Sequence, residues 1–348
     1  MIFLENKGHI LGENMKKISV IVPCYNASPY LADLMESLLG QTIGRDAMEI
    51  ICVNDASTDN TYEVLMSFEE KYSDTIMVIN LAENMRQGTA RNIALSYASG
   101  AYVAFIDADD VIEQDMFEKL LEPAERENLD MAGGIVLHHV NGQRIRMPNH
   151  LKTGEVVEVT GPRDRMDLIL HGNCGGIVSK IYRREMLLEN ALLFPERTYY
   201  EDNYWLPMVN LYIGRYYIVD EIVYHYIDRP ASTVNKKNEQ AMQDRLNMEV
   251  QKLHAYIQRG FFKEYYPGIE AVFCRSYYID TLLSIYALWG EVPMHFYEAM
   301  KREMCSLFPR CRENTILLEK DRKFLDTAFC ELTQKQLHEK ILSYAAAS

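Results

Sequence analysis

The sequence predicts a doubly wound α/β fold with a mostly parallel sheet, followed by a C-terminal helical subdomain. Three observations predict it. Short runs rich in Val and Ile recur between residues 16 and 140, apolar at successive positions as in strands buried on both faces. Between these runs lie segments with apolar residues three and four apart, the spacing of one helix face. From Asn238 onward the pattern is almost wholly helical.

In chain order, strands are expected at Ile18 to Val22, Glu49 to Val53, Ile76 to Asn80, Tyr102 to Ile106 and Met131 to Leu137. Leu31, Leu34, Met35 and Leu38 share a helical face after a Ser28-Pro29 start; Val64, Leu65 and Phe68 form a second, and Ala90, Ile93, Ala94 and Tyr97 a third. Repetition of strand, helix and strand gives the wound sheet. Past Val140 the regularity loosens. Asn141-Gly142 marks a turn between short antiparallel strands, Asp164 to Leu170 reads as helix, and Arg215 to Tyr226 reads as strand ahead of a polar turn at Asp228 to Ser232. The helical tail breaks near Gly260, Pro267, Gly290 to Pro293 and Pro309.

The chain has 348 residues, 48% of them hydrophobic and 25% charged, which is globular usage with ample material for a core. A formal charge of -14 repels polyanions and argues against nucleic acid as a partner. It also means that an anionic small substrate needs a local cation. The seven cysteines are scattered and hold no C-x-x-C pair, which predicts reduced thiols and no zinc site. The most apolar late stretch, Ala271 to Trp289, is broken by Arg275 and Asp280 and does not read as a spanning helix. Residues 1–15 have neither the basic start nor the long apolar core of a signal peptide and read as a disordered leader.

Ligands of open α/β sheets bind at the carboxyl ends of the strands. Three ends here are chemically unusual: Pro23-Cys24-Tyr25-Asn26, Asn54-Asp55-Ala56-Ser57-Thr58-Asp59, and Asp107-Ala108-Asp109-Asp110. Three carboxylates within four residues repel one another unless a cation offsets them. An all-oxygen donor set suits Mg²⁺ or Mn²⁺, held by one or two carboxylates with substrate phosphates. Asp107 and Asp109 are two apart and point the same way at an extended strand end. Tyr25 offers a flat ring for a base and Asp55 an acceptor for a base N–H. Together these features suggest a nucleotide diphosphate.

The segments Ile18 to Asn26, Ser37 to Thr42, Val53 to Asn60, Ala90-Arg91-Asn92 and Phe105 to Asp110 occur in an order that resembles the inverting family 2 glycosyltransferases of the GT-A fold, of the type that builds bacterial polysaccharides. The resemblance covers roughly the first third of the chain. It implies that Tyr25 stacks on uracil beside Pro23 and Asn26, that Asp55 accepts from the ring N–H, and that Arg91 lies near the nucleotide. Asp107, with Ala108 next to it, would reach the ribose or the metal, and Asp109 of this DXD motif would ligate the metal. Asn54 and Ala56 depart from the commoner D-D-G-S pattern.

In the second half, Phe194-Pro195-Glu196 followed by Tyr199-Tyr200-Glu201-Asp202 is similar to the family's acidic pair at a helix start, preceded by Lys180-Ile181-Tyr182-Arg183-Arg184. On spacing alone Glu201 and Asp202 read as first-turn acids that complement a helix dipole; the match assigns Asp202 as the base that deprotonates an acceptor hydroxyl. Tyr204 and Trp205 read equally as a sugar platform or as core. Arg229, in the segment after Tyr224-His225-Tyr226, is the candidate to close over the diphosphate, and His225 reads equally as a structural histidine.

The resemblance thus implies a hexosyltransferase using Mn or Mg, a UDP-sugar donor and a glycan or lipid-linked acceptor. It implies a cytoplasmic location, at which the tail could meet the inner face of the membrane. It divides the chain into a catalytic domain over 16–235, with a nucleotide-binding half (16–140) and an acceptor half (141–235), and a helical subdomain over 236–348. Two other readings stand beside it. Asp107-Ala108-Asp109-Asp110-Val111 also fits the signature of haloacid-dehalogenase-like phosphatases, with Asp107 as nucleophile. A catalytically silent sugar-nucleotide binder is the other. No G-x-G-x-x-G follows the first strand, which argues against a dinucleotide oxidoreductase.

Overall fold

The structure is a computed structural model that describes residues 16–173, 175–229 and 237–347, so the expected leader and most of the polar turn through Ser232 lie outside the described residues. The chain packs as two units, one of residues up to 160 with 171–228, the other of 161–170 with 229 onward.

The first unit is built on ten strands: β1 (Ile18–Cys24), β2 (Met48–Asn54), β3 (Ile76–Asn80), β4 (Tyr102–Phe105), β5 (Val111–Ile112), β6 (Met131–Val140), β7 (Gln143–Arg146), β8 (Val156–Glu158), β9 (Lys180–Arg183) and β10 (Arg215–Ile227). They form one sheet in the order β3-β2-β1-β4-β9-β6-β10-β5, with β7 on β6 and β8 on β10. β3, β2, β1 and β4 are mutually parallel, as is the long β6–β10 pairing. All seven residues of β1 and of β2 are buried, so their continuous apolar runs reflect cover on both faces.

Helices α1 (Leu31–Leu39), α2 (Thr61–Lys71), α3 (Arg86–Tyr97) and α4 (Met116–Arg126) connect these strands. Leu31, Leu34, Met35 and Leu38 are the buried stripe of α1. The second unit takes α5 (Pro162–His171), apart from its last residue. The first unit continues with α6 (Arg184–Glu189) and α7 (Glu201–Asn210).

β9 and α4 are among the elements that have no counterpart in the expected set. β9 inserts antiparallel between β4 and β6, with Val103 opposite Tyr182 and Ala132 opposite Ile181. Its charged ends, Lys180 and Arg183, hide a four-residue strand from a hydrophobicity reading. α4 carries Pro123 eight positions into its sequence, in its last turns, yet continues to Arg126 because Met116, Phe117, Leu120, Leu121 and Ala124 bury a strong apolar stripe.

The second unit's remaining helices are α8 (Glu239–Gln258), α9 (Tyr266–Phe273), α10 (Asp280–Trp289), α11 (Met294–Leu307), α12 (Glu319–Leu325) and α13 (Gln334–Ala346), with a π-helical stretch at Cys274–Ile279. The expected breaks fall where the sequence puts them. Gly260 and Gly290 follow helix ends with φ of 83° and 78°, and Pro267 sits in the first turn of α9. Among the described residues no helix is long and apolar enough to cross a membrane.

Candidate active site

In the order β3-β2-β1-β4 the winding reverses between β1 and β4, and a doubly wound sheet opens its ligand crevice at such a switch point. The β1–β4 register runs from Ile18↔Tyr102 to Ile21↔Phe105 and then stops. Pro23, which has no N–H to donate, lies just past that end, where β1 no longer needs a donor toward β4. Tyr25 follows with 49% of its surface exposed. Asn26 adopts φ 51°; its amide oxygen accepts from the Thr58 N–H at 2.8 Å, and its own N–H donates to Ser57 Oγ at 3.0 Å. Asn26 therefore knots the first rim loop to the second.

In the second loop Ala56 has φ 55°, the left-handed conformation that the commoner glycine adopts without strain. Ala56 thus keeps the loop's path at a cost in strain. Asp55 is only 3% exposed, and its carboxylate accepts from the Met85 N–H at 2.6 Å, tying the second loop to the start of α3. Burial raises its pKa, against the lowering effect of the Met85 and Arg86 backbone donors and of the Arg86 and Arg197 charges.

The third loop is held from below by Tyr224 of β10. The Asp107 N–H donates to the Tyr224 hydroxyl at 3.3 Å, and that hydroxyl donates to Asp110 Oδ2 at 2.7 Å. Asp110 also accepts from the Ile227 N–H at 2.8 Å. Its pKa rises to about 8, first through burial and then through the charge of Asp107. Asp110 is thereby a structural acid facing inward, whereas Asp107 and Asp109 are partly exposed. Ala108 between them is buried.

Among the described residues no group of three His, Cys, Asp or Glu side chains is arranged to hold a metal ion. What the loop offers is two hard-oxygen side chains, one of which, Asp107, also pairs with Arg91 at 2.8 Å. That donor set fits a Mg²⁺ or Mn²⁺ ion that completes its shell with water and phosphate oxygens, and it does not fit a closed protein cage.

The acidic pair sits at the start of α7. Tyr200, its N-cap, is left-handed at φ 60° and ψ 33°, uncommon for a bulky residue and costing roughly 1–3 kcal/mol. α3 clasps the segment that leads there. Asn92 exchanges two hydrogen bonds with Phe194, donating to its carbonyl at 2.8 Å and accepting its N–H at 2.9 Å. The Arg197 N–H donates to Thr89 Oγ1 at 3.0 Å. Gly88 packs so closely that a Cβ there would overlap the Pro195 carbonyl and lie 3.0 Å from Glu201 Cγ. Arg91, 2% exposed, donates to Glu201, to Asp107 Oδ1 and to Gln87 Oε1, with Phe194 under its guanidinium.

Asp202, partly exposed, accepts from the Asn203 N–H at 3.0 Å. Loss of hydration raises its pKa, the Arg91 charge works against that rise, and Asp107 adds to it. Glu201 is likewise pushed up by burial, with Arg91 opposing and Asp202 adding. The loop of Asp107 and the helix start of Asp202 thus share one electrostatic neighbourhood.

Trp205 is fully buried, stacked on Phe194 at 4.4 Å, edge-on to Phe105 and Tyr182, and donates to the Leu192 carbonyl at 2.8 Å. It belongs to the core and cannot be a sugar platform; Tyr204 is half-buried. His225 bridges Glu113 at 2.8 Å and His139 at 2.9 Å, the satisfied structural arrangement. Arg229 falls in the second unit. The sequence reading gave no role to Gly88, Asn92 or Tyr224, although the last two lie in segments it singled out, because their roles depend on contacts distant in sequence.

Residues 19–189 match the model of glycosyl transferase family 2. The uncharacterized glycosyltransferase EpsJ of Bacillus subtilis (strain 168) is 29% identical over 264 residues, covering 74% of this chain and 75% of EpsJ. The uncharacterized glycosyltransferase YibD of Escherichia coli (strain K12) is 33% identical over 223 residues, covering 60% of this chain and 61% of YibD. The poly(ribitol-phosphate) beta-N-acetylglucosaminyltransferase TarS of Staphylococcus aureus (strain Mu50 / ATCC 700699) is 30% identical over 214 residues, 61% of this chain but only 35% of TarS. The crystal structure of residues 1–349 of S. aureus TarS in complex with UDP-GlcNAc superimposes with a TM-score of 0.73 at 23% identity, covering 95% of this chain and 92% of that one, a likeness of fold. Residues 19–189 thus form a glycosyl transferase family 2 domain, and the protein is a glycosyltransferase on a GT-A fold.

Proposed function

We propose that this glycosyltransferase moves a hexosyl group from a UDP-sugar to a hydroxyl of a glycan or lipid-linked acceptor, with inversion and with a divalent cation, in bacterial polysaccharide synthesis. The observation that carries the reading is the single guanidinium, Arg91, in contact with both Asp107 of the DXD loop and Glu201 beside Asp202. The two acidic loops of such a reaction must lie within one substrate's length, and a shared ion pair is support for that.

In this reading the half-exposed Tyr25, flanked in sequence by Cys24 and Asn26 and close to Pro23, receives uracil, and Asp55 accepts from the ring N–H. Asp109 and Asp107, with Ala108 between them, would hold Mn²⁺ or Mg²⁺, which when bound supplies positive charge to a departing diphosphate. Asp202 takes the proton of the acceptor hydroxyl, whose oxygen attacks the anomeric carbon from the face opposite the diphosphate. Residues 16–140 serve the donor and 141–235 the acceptor, with 236–348 as an accessory helical part and the inner face of the membrane as the working location. TarS, a poly(ribitol-phosphate) beta-N-acetylglucosaminyltransferase whose crystal structure holds UDP-GlcNAc, supports the choice of donor class.

The test is a thermal-shift screen of UDP-glucose, UDP-GlcNAc, UDP-galactose, GDP-mannose and p-nitrophenyl phosphate, each with Mn²⁺ and with EDTA. A ligand that binds the native state raises its melting temperature. A Mn²⁺-dependent rise with one UDP-sugar is expected. Release of p-nitrophenol with no response to any sugar nucleotide would instead favour the phosphatase reading.

A further inference from the structure

Arg91 was expected near the nucleotide, yet its guanidinium is buried and committed to protein groups on both sides: Asp107 at 2.8 Å, Glu201, and Gln87 at 3.1 Å. Its Nε–H has no partner among the described residues. A buried donor left unsatisfied costs about 1–3 kcal/mol, and buried ion pairs seldom improve on well-packed apolar side chains. Stability alone therefore does not account for this residue.

Its surroundings do. Gly88, Thr89, Arg91 and Asn92, successive faces of one helical turn and a half, all grip the stretch from Phe194 to Glu201. Of these four only Arg91 also reaches the DXD loop. Tyr200 holds a left-handed turn immediately before Glu201, a conformation that persists only where the surroundings impose it. We propose that Arg91 is a positioning residue, which fixes the Glu201-Asp202 helix start to the Asp107 loop and so sets the distance between the base and the donor, without itself binding the nucleotide. This rests on the reading of Asp202 as base.

The fork geometry matters, because a planar guanidinium fixes the directions in which its two carboxylates are held, whereas an ammonium is a compact charge on a flexible stem and imposes no such fixed geometry. Arg91→Lys is therefore the informative variant. Amide exchange over residues 199–205 should quicken about tenfold. The dissociation constant for UDP in Mn²⁺ should stay within about threefold, while UDP release from UDP-GlcNAc should fall about a hundredfold at unchanged KM, as expected for a misplaced catalytic group. Should Arg91→Lys fail to fold, the pair Arg91→Met with Glu201→Met removes both charges together, and the same three measurements apply.

A tenfold loss of UDP affinity (about 1.4 kcal/mol) with exchange unchanged would make Arg91 a nucleotide contact and overturn the proposal. Unchanged exchange with unchanged affinity would overturn it as well. Asp202→Asn, measured alongside, separates the two readings. If it releases UDP at the rate of the parent protein, or if the parent protein releases none, the base assignment or the donor reading fails. The exchange and UDP-binding results still decide whether Arg91 positions the helix.

Discussion

Asp202 carries the sharpest consequence of its surroundings. A base works only when ionised, and partial burial and Asp107 push its pKa above the ordinary carboxylate range, while Arg91 restrains the rise. The sign follows directly: transfer should fall as the pH drops through that raised pKa, so the acid limb of the rate profile lies above pH ~4, where an exposed aspartate titrates. Asp202→Asn should keep UDP affinity and lower transfer by roughly 10²–10⁴-fold, the span of general-base contributions. A profile for kcat/KM that is flat from pH 4 to 7, within that approximate window, would remove Asp202 from the role. Ala56 offers a stability test in the same site. Its left-handed backbone costs roughly 1–2 kcal/mol, and a glycine adds roughly 0.5–1 kcal/mol of unfolded-chain entropy. Strain relief is the larger quantity, so Ala56→Gly should gain up to about 1.5 kcal/mol in chemical denaturation, and a loss would mean that the loop's conformation is differently held.

α3 and α7 decide how the site is assembled, and they can be perturbed separately. Trp205→Ala empties an aromatic cluster beneath α7 and should cost about 3–5 kcal/mol, read as a lower denaturation midpoint. Gly88→Ala should cost about 1–3 kcal/mol or more, because the added Cβ forces the Pro195 backbone carbonyl and the Glu201 side chain to move. The same shift carries Asp202 with it, so Gly88→Ala should lose more activity per unit of lost stability than Trp205→Ala. Equal losses would argue that α3 is only a packing surface. These two positions also mark where the sequence was and was not legible. The parallel half was readable because continuous Val and Ile runs and helical stripes are local signals, as in β1, β2 and α1. The rim loops stood out because clusters of carboxylates and amides are unusual directly after buried strands, whereas the acidic pair, ordinary residues for the first turn of a helix, was singled out only by the family resemblance. β9 was not, since a four-residue strand bounded by Lys180 and Arg183 has no local signature. Neither was the clasp, since Arg91 and Glu201 are 110 positions apart and a charged residue on a helix ordinarily implies solvent.

Over the whole chain the balance of 36 basic against 50 acidic residues sets a field that opposes an anionic donor. Arg91, the buried cation of the rim, is already spent on Asp107 and Glu201, which leaves it nothing to offset a diphosphate. The proposed divalent ion on Asp109 and Asp107 would then carry most of the electrostatic attraction. Ionic strength separates the two contributions. In EDTA, the association constant for UDP should rise as salt is raised from about 10 mM to about 150 mM, because the screening length shrinks from about 30 Å to about 8 Å and long-range repulsion is cut off first. In Mn²⁺ the constant should be higher throughout and should change little or fall with salt, because a short-range attraction then dominates. Asp109→Ala should abolish the Mn²⁺ increment while leaving the EDTA curve in place, since one charge in a net of -14 barely alters the distant field. Titration calorimetry of UDP at the two salt concentrations reads all of this directly. Equal affinity in EDTA and Mn²⁺ would mean that the rim binds the diphosphate through protein groups alone, and the cation would have to leave the mechanism.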